Sequence, residues 1–226
     1  MGDEEIDEFR KSYLGIGEIT CFLSSFPNLE VLHLRGCCTD LCSGVLGHNN
    51  LKTLVIETRD ISDMSIEVLC SLDLPALEYF ELWIGRDFEN TCDNVFKSIK
   101  PILFGESFPN LSYLGIRSCG YTNAVAEAIM ESSFMANFPI IDNLLILDLT
   151  MGNLTDEGLE HLIGIPSTSN LHTLNVSNNC ISDKFLEEIE QSSPLGYWLI
   201  ADYQEEIVYP EVKVNISESR YLALHE

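Results

Sequence analysis

Basic side chains are scarce in this chain. Twelve Lys and Arg stand against 36 Asp and Glu over 226 residues, a formal charge of −24. A surface of that sign repels phosphate backbones and anionic headgroups, which argues against nucleic-acid and membrane partners. It would attract a basic protein partner, although acid that only solvates the outer face of the fold is the preferred reading. Long apolar runs are also missing, and none reaches the roughly 20 residues of a membrane span. Met1 to Glu8 is acidic, where a secretory start needs a basic segment and an apolar core. The expected location is therefore the cytoplasm, with the eight cysteines as free thiols. The N-x-S/T sequons at Asn110, Asn153, Asn175 and Asn215 then carry no meaning. No G-x-S-x-G, H-E-x-x-H, P-loop or G-x-G-x-x-G occurs, so no catalytic residues and no cofactor are expected. Paired C-x2-C spacing is absent as well. Cys37, Cys38 and Cys42 with His48 nearby form C-C-x3-C, a weak zinc signal, and no metal is expected.

What the chain does have is a recurring string. Asn170 to Ile181 reads N-L-H-T-L-N-V-S-N-N-C-I, which from Leu171 is L-x-x-L-x-V-x-x-N-x-I. Phe26 to Cys37 and Phe108 to Cys119 repeat it, and shorter versions start near Asn50, Pro75 and Asn143. Setting Leu29, Leu51, Leu77, Leu111, Leu144 and Leu171 in one register gives spacings of 22, 26, 34, 33 and 27 residues. This pattern resembles the leucine-rich repeat, with insertions at the two long spacings. Each run predicts a short strand that cannot bury its apolar side alone, so the strands stack in parallel. Position nine serves the turn, filled by Asn179 in one repeat and by Cys37 and Cys119 in two others.

The expected fold class is α/β, a leucine-rich repeat solenoid, with a parallel concave sheet and helices on the convex side. Three segments are expected: a capping or partial repeat over 1–25, the repeat domain over 26–190, and a capping strand with an acidic tail over 191–226. Predicted strands are Val31–Arg35, Thr53–Glu57, Tyr79–Trp83, Tyr113–Arg117, Ile146–Thr150 and Thr173–Ser177, with a last one within Gly196–Asp202. A further return near Val212–Ile216 is expected in the tail. Ile16, Ile19, Phe22, Leu23 and Phe26 have helical spacing before the first strand. Crossover helices are expected after Ser62, over Asn90–Leu103 with Pro101 ending or kinking it, over Asn123–Met135, after Thr155 and after Ser182. The return over Thr39–His48 looks too short and glycine-containing for a full helix.

The long helical returns and the segment L-T-D-E-G-L resemble the ribonuclease-inhibitor-like branch of these proteins over roughly residues 26–190. The strings D-L-P-A-L-E-Y-F-E-L-W-I-G from Asp73, L-D-L-T-M-G-N-L-T-D-E-G from Leu147 and R-Y-L-A-L-H-E from Arg220 are similar to an uncharacterised bacterial leucine-rich repeat family. That resemblance implies no catalytic residues and, for leucine-rich repeat domains in general, protein binding. It also implies relatives that are longer at the N-terminus, so that this chain would start inside a further repeat.

Alternate strand residues face the concave side. Tyr79, Trp83 and Tyr113 then fall on neighbouring strands with Arg117 beside them, and Tyr, Trp and Arg dominate binding hot spots. Glu57, Glu81 and Asp148 are expected to add acidic complementarity, and Gly115 to leave a gap for a partner side chain. The competing reading has Trp83 and Tyr113 covered and purely structural. His33 and Asp148 lie about four strands apart at ~4.8 Å each, too far for a catalytic dyad. His161 and His172 fall where solvated or packing roles are commoner. The expected function is thus a non-enzymatic scaffold binding a protein partner on its concave face. The alternative is a structural module docking through its N-terminal layer.

Overall fold

The computed structural model describes residues 19–36, 47–58, 61–85, 92–136, 139–164, 170–192 and 195–205, with backbone only for 92–96. Residues 1–18, the cysteines Cys37, Cys38 and Cys42, most of the Thr39–His48 return and the tail from 206, with its expected Val212–Ile216 strand, lie outside the described residues.

Among the described residues seven strands build one parallel sheet in strict chain order. They are β1 (Val31–Arg35), β2 (Thr53–Glu57), β3 (Tyr79–Gly85), β4 (Tyr113–Cys119), β5 (Ile146–Asp148), β6 (Thr173–Asn175) and β7 (Trp198–Ile200). Helix α1 (Ile19–Ser25) precedes the sheet. The crossovers carry α2 (Asp63–Cys70), α3 (Cys92–Leu103), α4 (Thr122–Met135), α5 (Asp156–Ile163) and α6 (Asp183–Gln191). The result is a solenoid-like stack of strand and helix layers.

The period-two pattern of each strand sends one set of side chains into the helix layer. Leu54, Ile56, Phe80, Leu82, Leu114, Ile116, Leu147 and Leu174 share one core with Ile66, Leu69, Ile99, Val125, Ile129, Leu159 and Leu162. Full burial of each such side chain stabilises by roughly 1.5–3 kcal/mol. Successive helices also pack on one another, α2 on α3, α3 on α4 and α4 on α5.

One backbone motif repeats from layer to layer. The Glu30 carbonyl accepts N–H bonds from both Lys52 and Thr53, at 2.8 and 3.0 Å. The Lys52 carbonyl does the same for Glu78 and Tyr79, that of Glu78 for Ser112 and Tyr113, and that of Leu145 for His172 and Thr173. Asn50 and Asn110 reinforce it by donating side-chain N–H bonds back to the Pro27 and Pro75 carbonyls.

After the strands the chain turns through a left-handed residue at a fixed offset. Ser118 (φ 51°), Met151 (φ 63°) and Asn178 (φ 55°) each lie seven residues past Leu111, Leu144 and Leu171. Fully buried Asn179 follows. Its amide donates to the Leu149 and Val176 carbonyls at 2.8 and 2.9 Å, and its oxygen accepts the Leu154 N–H at 2.9 Å. One side chain thereby joins two layers. At the matching position of the preceding repeat stands Gly152, where a Cβ would overlap the Thr122 hydroxyl and lie 2.8 Å from the Asn179 oxygen.

Several expectations are corrected. Strands β5 and β6 end at Asp148 and Asn175, two residues early. Each of those side chains bends back to accept a backbone N–H two residues on, from Thr150 (3.0 Å) and Ser177 (3.2 Å), which closes an Asx turn. Ser62 and Ser182 cap α2 and α6 through their side chains, but Thr155 makes no cap bond. Its hydroxyl accepts from Asn123 of α4 instead. In α1 only Ile19 and Leu23 are buried, while Phe22 and Phe26 are exposed. The helix ends at Ser25, so Phe26 falls off its stripe. Pro101 is accommodated in the last turn of α3, which stops two residues later.

Asn179→Ala leaves the Leu154 N–H and the Leu149 carbonyl without partners. At roughly 1–3 kcal/mol per unsatisfied buried group, the loss should be about 3 kcal/mol. Urea unfolding should show a lower midpoint at unchanged slope. A loss below about 1 kcal/mol would refute the interlayer role.

Candidate functional site

The residues on the face opposite the helices are aligned in rungs across the sheet. Tyr79 lies beside Tyr113, Glu81 beside Gly115, and Trp83 beside both Glu57 and Arg117. Asp148 continues the Gly115 rung on β5. The seven site residues predicted from sequence therefore share one face of β2 to β5.

Gly115 has no side chain, and the Tyr113 ring lies across it. A Cβ at that position would meet Tyr113 Cε1 at 3.1 Å and its hydroxyl oxygen at 3.2 Å. The expected gap is thus already filled from within. The Tyr79 and Tyr113 rings stack with centroids 3.9 Å apart and 7° between planes. The Tyr113 hydroxyl donates to Asp148 Oδ2 at 3.0 Å and sits 3.4 Å from Glu81 Oε2.

Glu81 is the hub. It is only 6% exposed, and it accepts from the Tyr79 hydroxyl at 2.6 Å, the Trp83 indole N–H at 2.6 Å and Arg117 Nη1 at 3.2 Å. Arg117 lies over the Trp83 ring, 4.7 Å from its centroid, and donates through Nε to Thr150 at 2.9 Å. Trp83 is thereby buried. Burial opposes the charge on Glu81, but the bonds from Tyr79 and Trp83 and the Arg117 charge outweigh it and hold the carboxyl below its ordinary range. Burial and the bond to Glu81 push the Tyr79 phenol up to about 12. Burial and the Asp148 charge raise that of Tyr113 beyond the usual tyrosine range. Neither phenol serves as a base near neutral pH, and the cluster acts as a set of fixed donors and aromatic surfaces.

Glu57 sits apart from that hub, 2.6 Å from His33 Nε2 and 3.5 Å from Arg35 Nε. The three predicted carboxylates thus all make contacts within the face. Glu57, Glu81 and Asp148 face Arg35 and Arg117, so this surface is close to neutral on a chain of charge −24.

Sequence reasoning missed the far end of the same face. Trp198, 71% exposed, and Ile200 extend the rungs of Thr173 and Asn175 on β7. The signal is the alternation in Y-W-L-I, which at the end of the repeats points to a cap before it points to a surface. His48 is fixed as structure: Nδ1 accepts the Leu51 N–H at 3.0 Å, which leaves Nε2 to donate to the Phe26 carbonyl at 3.1 Å. Among the described residues no group of three His, Cys, Asp or Glu is placed to hold a metal ion, and no helix is long and apolar enough to cross a membrane.

The fold is similar to the crystal structure of a Bacteroides fragilis protein solved as a structural genomics target. The TM-score is 0.71 at 28% identity, covering 85% of this chain and 52% of that one. The chain therefore spans about half the length of that neighbour. No family model and no curated protein matches the chain.

Because the folded Glu81 carboxyl is held below its ordinary value of 4.5, its ionisation stabilises the fold above that pH. The contribution fades as pH falls through the folded value. The stability gap between wild type and Glu81→Gln should be widest above pH 4.5 and narrow in more acidic buffer. A pH-independent gap, measured by urea unfolding, would show that the carboxylate is not the hub.

Proposed function

We propose that this chain is a non-enzymatic leucine-rich repeat scaffold of the ribonuclease-inhibitor-like type. Its sheet forms the concave face of a horseshoe and binds a protein partner, in a cytoplasmic setting. The recurring L-x-x-L-x-L register, the strict strand order and the helical crossovers support this fold reading. One observation carries the functional part. On a strongly acidic chain, the central sheet face is near neutral and concentrates aromatic side chains whose positions are already fixed by Glu81 and Asp148. Rigid aromatic groups lose little conformational freedom on binding, which favours affinity. The acid elsewhere keeps the helical side solvated and discourages contacts there.

A second reading, docking through the N-terminal layer, is favoured by the exposure of Phe22, Phe26 and Val31 at that end. The two differ in where a partner touches. With a partner captured from host lysate, Tyr79→Ser should weaken binding by about 30-fold, the scale of a hot-spot residue near 2 kcal/mol, and Phe26→Ser should leave it unchanged. Melting curves confirm that each variant is folded. Loss with Phe26→Ser and retention with Tyr79→Ser would overturn the sheet-face reading in favour of N-terminal docking.

A further inference from the structure

The last layer of the stack differs from the others. Helices α2, α4 and α5 each bury apolar residues completely, but α6 buries none. Its Leu186 and Ile189 are only partly covered and line a groove of about 510 Å³ with Tyr197 and Leu199 of the β7 segment. The Tyr197 hydroxyl is buried there without a hydrogen-bond partner. The charged groups lining the groove, Glu190 and Asp202, are both acidic.

Among the described residues the outer edge of β7 is unpaired in the same place. Trp198 N–H donates to the His172 carbonyl, and the Ile200 carbonyl accepts the Val176 N–H, both toward β6. In a parallel ladder the intervening Leu199 then turns its N–H and carbonyl to the opposite edge. Among the described residues no strand pairs with that edge. An unpaired edge next to an apolar groove is the arrangement that accepts an added strand.

We propose that this end of the sheet is a second interaction surface, which receives one extended, basic segment of a partner protein as an eighth strand. The segment pairs with the Leu199 backbone and sets alternate aliphatic side chains against Leu186 and Ile189. Its Lys or Arg side chains meet Glu190 and Asp202. A second copy of this chain fits less well, because two bodies of charge −24 repel one another. The proposal is independent of the central aromatic face.

The test uses the full chain and a synthetic peptide alternating valine and lysine. Its controls are a peptide of the same composition with valines and lysines in separate blocks, and one alternating valine and glutamate. The alternating basic peptide should bind at least about tenfold more tightly than either control, a difference of roughly 1.4 kcal/mol. It should slow hydrogen exchange at the Leu199 amide. Leu199→Pro, which removes the outward N–H, and the double variant Glu190→Lys/Asp202→Lys should each cost about tenfold. Equal binding of the two lysine peptides would reduce the effect to unspecific charge attraction and overturn the proposal. Unchanged exchange at Leu199, or retained affinity in both variants, would do the same. So would failure of the full chain to bind, the outcome expected if residues 206–226 already occupy the edge.

Discussion

Every strand here depends on the next one. A three- to seven-residue parallel strand leaves half its backbone groups unpaired on each edge, and one face of leucines uncovered. Only the neighbouring layer satisfies both. The chain solves this with one device used repeatedly: a single carbonyl before each of β1 to β5 receives two N–H groups from the start of the next strand. That device fixes the register, and a one-residue slip would send the leucines to the solvent face. Asn179 repeats the principle at the other end of the strands, joining Leu149, Leu154 and Val176 through one buried amide.

The register also makes the site. Tyr79, Glu81 and Trp83 stand on one strand, but Glu81 becomes a buried carboxylate only because β4 supplies Arg117 and the Tyr113 ring beside it. Removing a carboxylate from water is costly unless its lone pairs are filled. Here a phenol, an indole and a guanidinium fill them. The same bonds lock the aromatic rings in place. Polar satisfaction and preorganised surface are therefore one arrangement, and the small size of Gly115 permits it by leaving room for the Tyr113 side chain.

Charge is distributed unequally over this architecture. Among the described residues the excess acid is carried largely outside the sheet face, where acidic and basic groups nearly balance. Helix α6 is typical of the remainder, with Asp183, Glu187, Glu188 and Glu190 against Lys184.

The strand starts were legible in the sequence, because L-x-x-L-x-L is a local pattern and the period of two follows from backbone geometry alone. Val31–Arg35 and Thr53–Glu57 match to the residue. The caps at Ser62 and Ser182 were legible for the same reason, since each bonds within its own turn. The placement of Tyr79, Trp83, Tyr113 and Arg117 on one face was legible too, because equal repeat offsets put them side by side on adjacent strands. What the sequence did not reveal is how those side chains spend their hydrogen bonds. The Glu81 donor Arg117 lies 36 residues away, and Tyr113 and the Asp148 it bonds are 35 apart. The early ends of β5 and β6, the redirected Thr155 hydroxyl and the filled space over Gly115 likewise rest on which neighbour reaches a polar atom first. Those competitions are settled by distances between layers, which exist only once the strands have stacked.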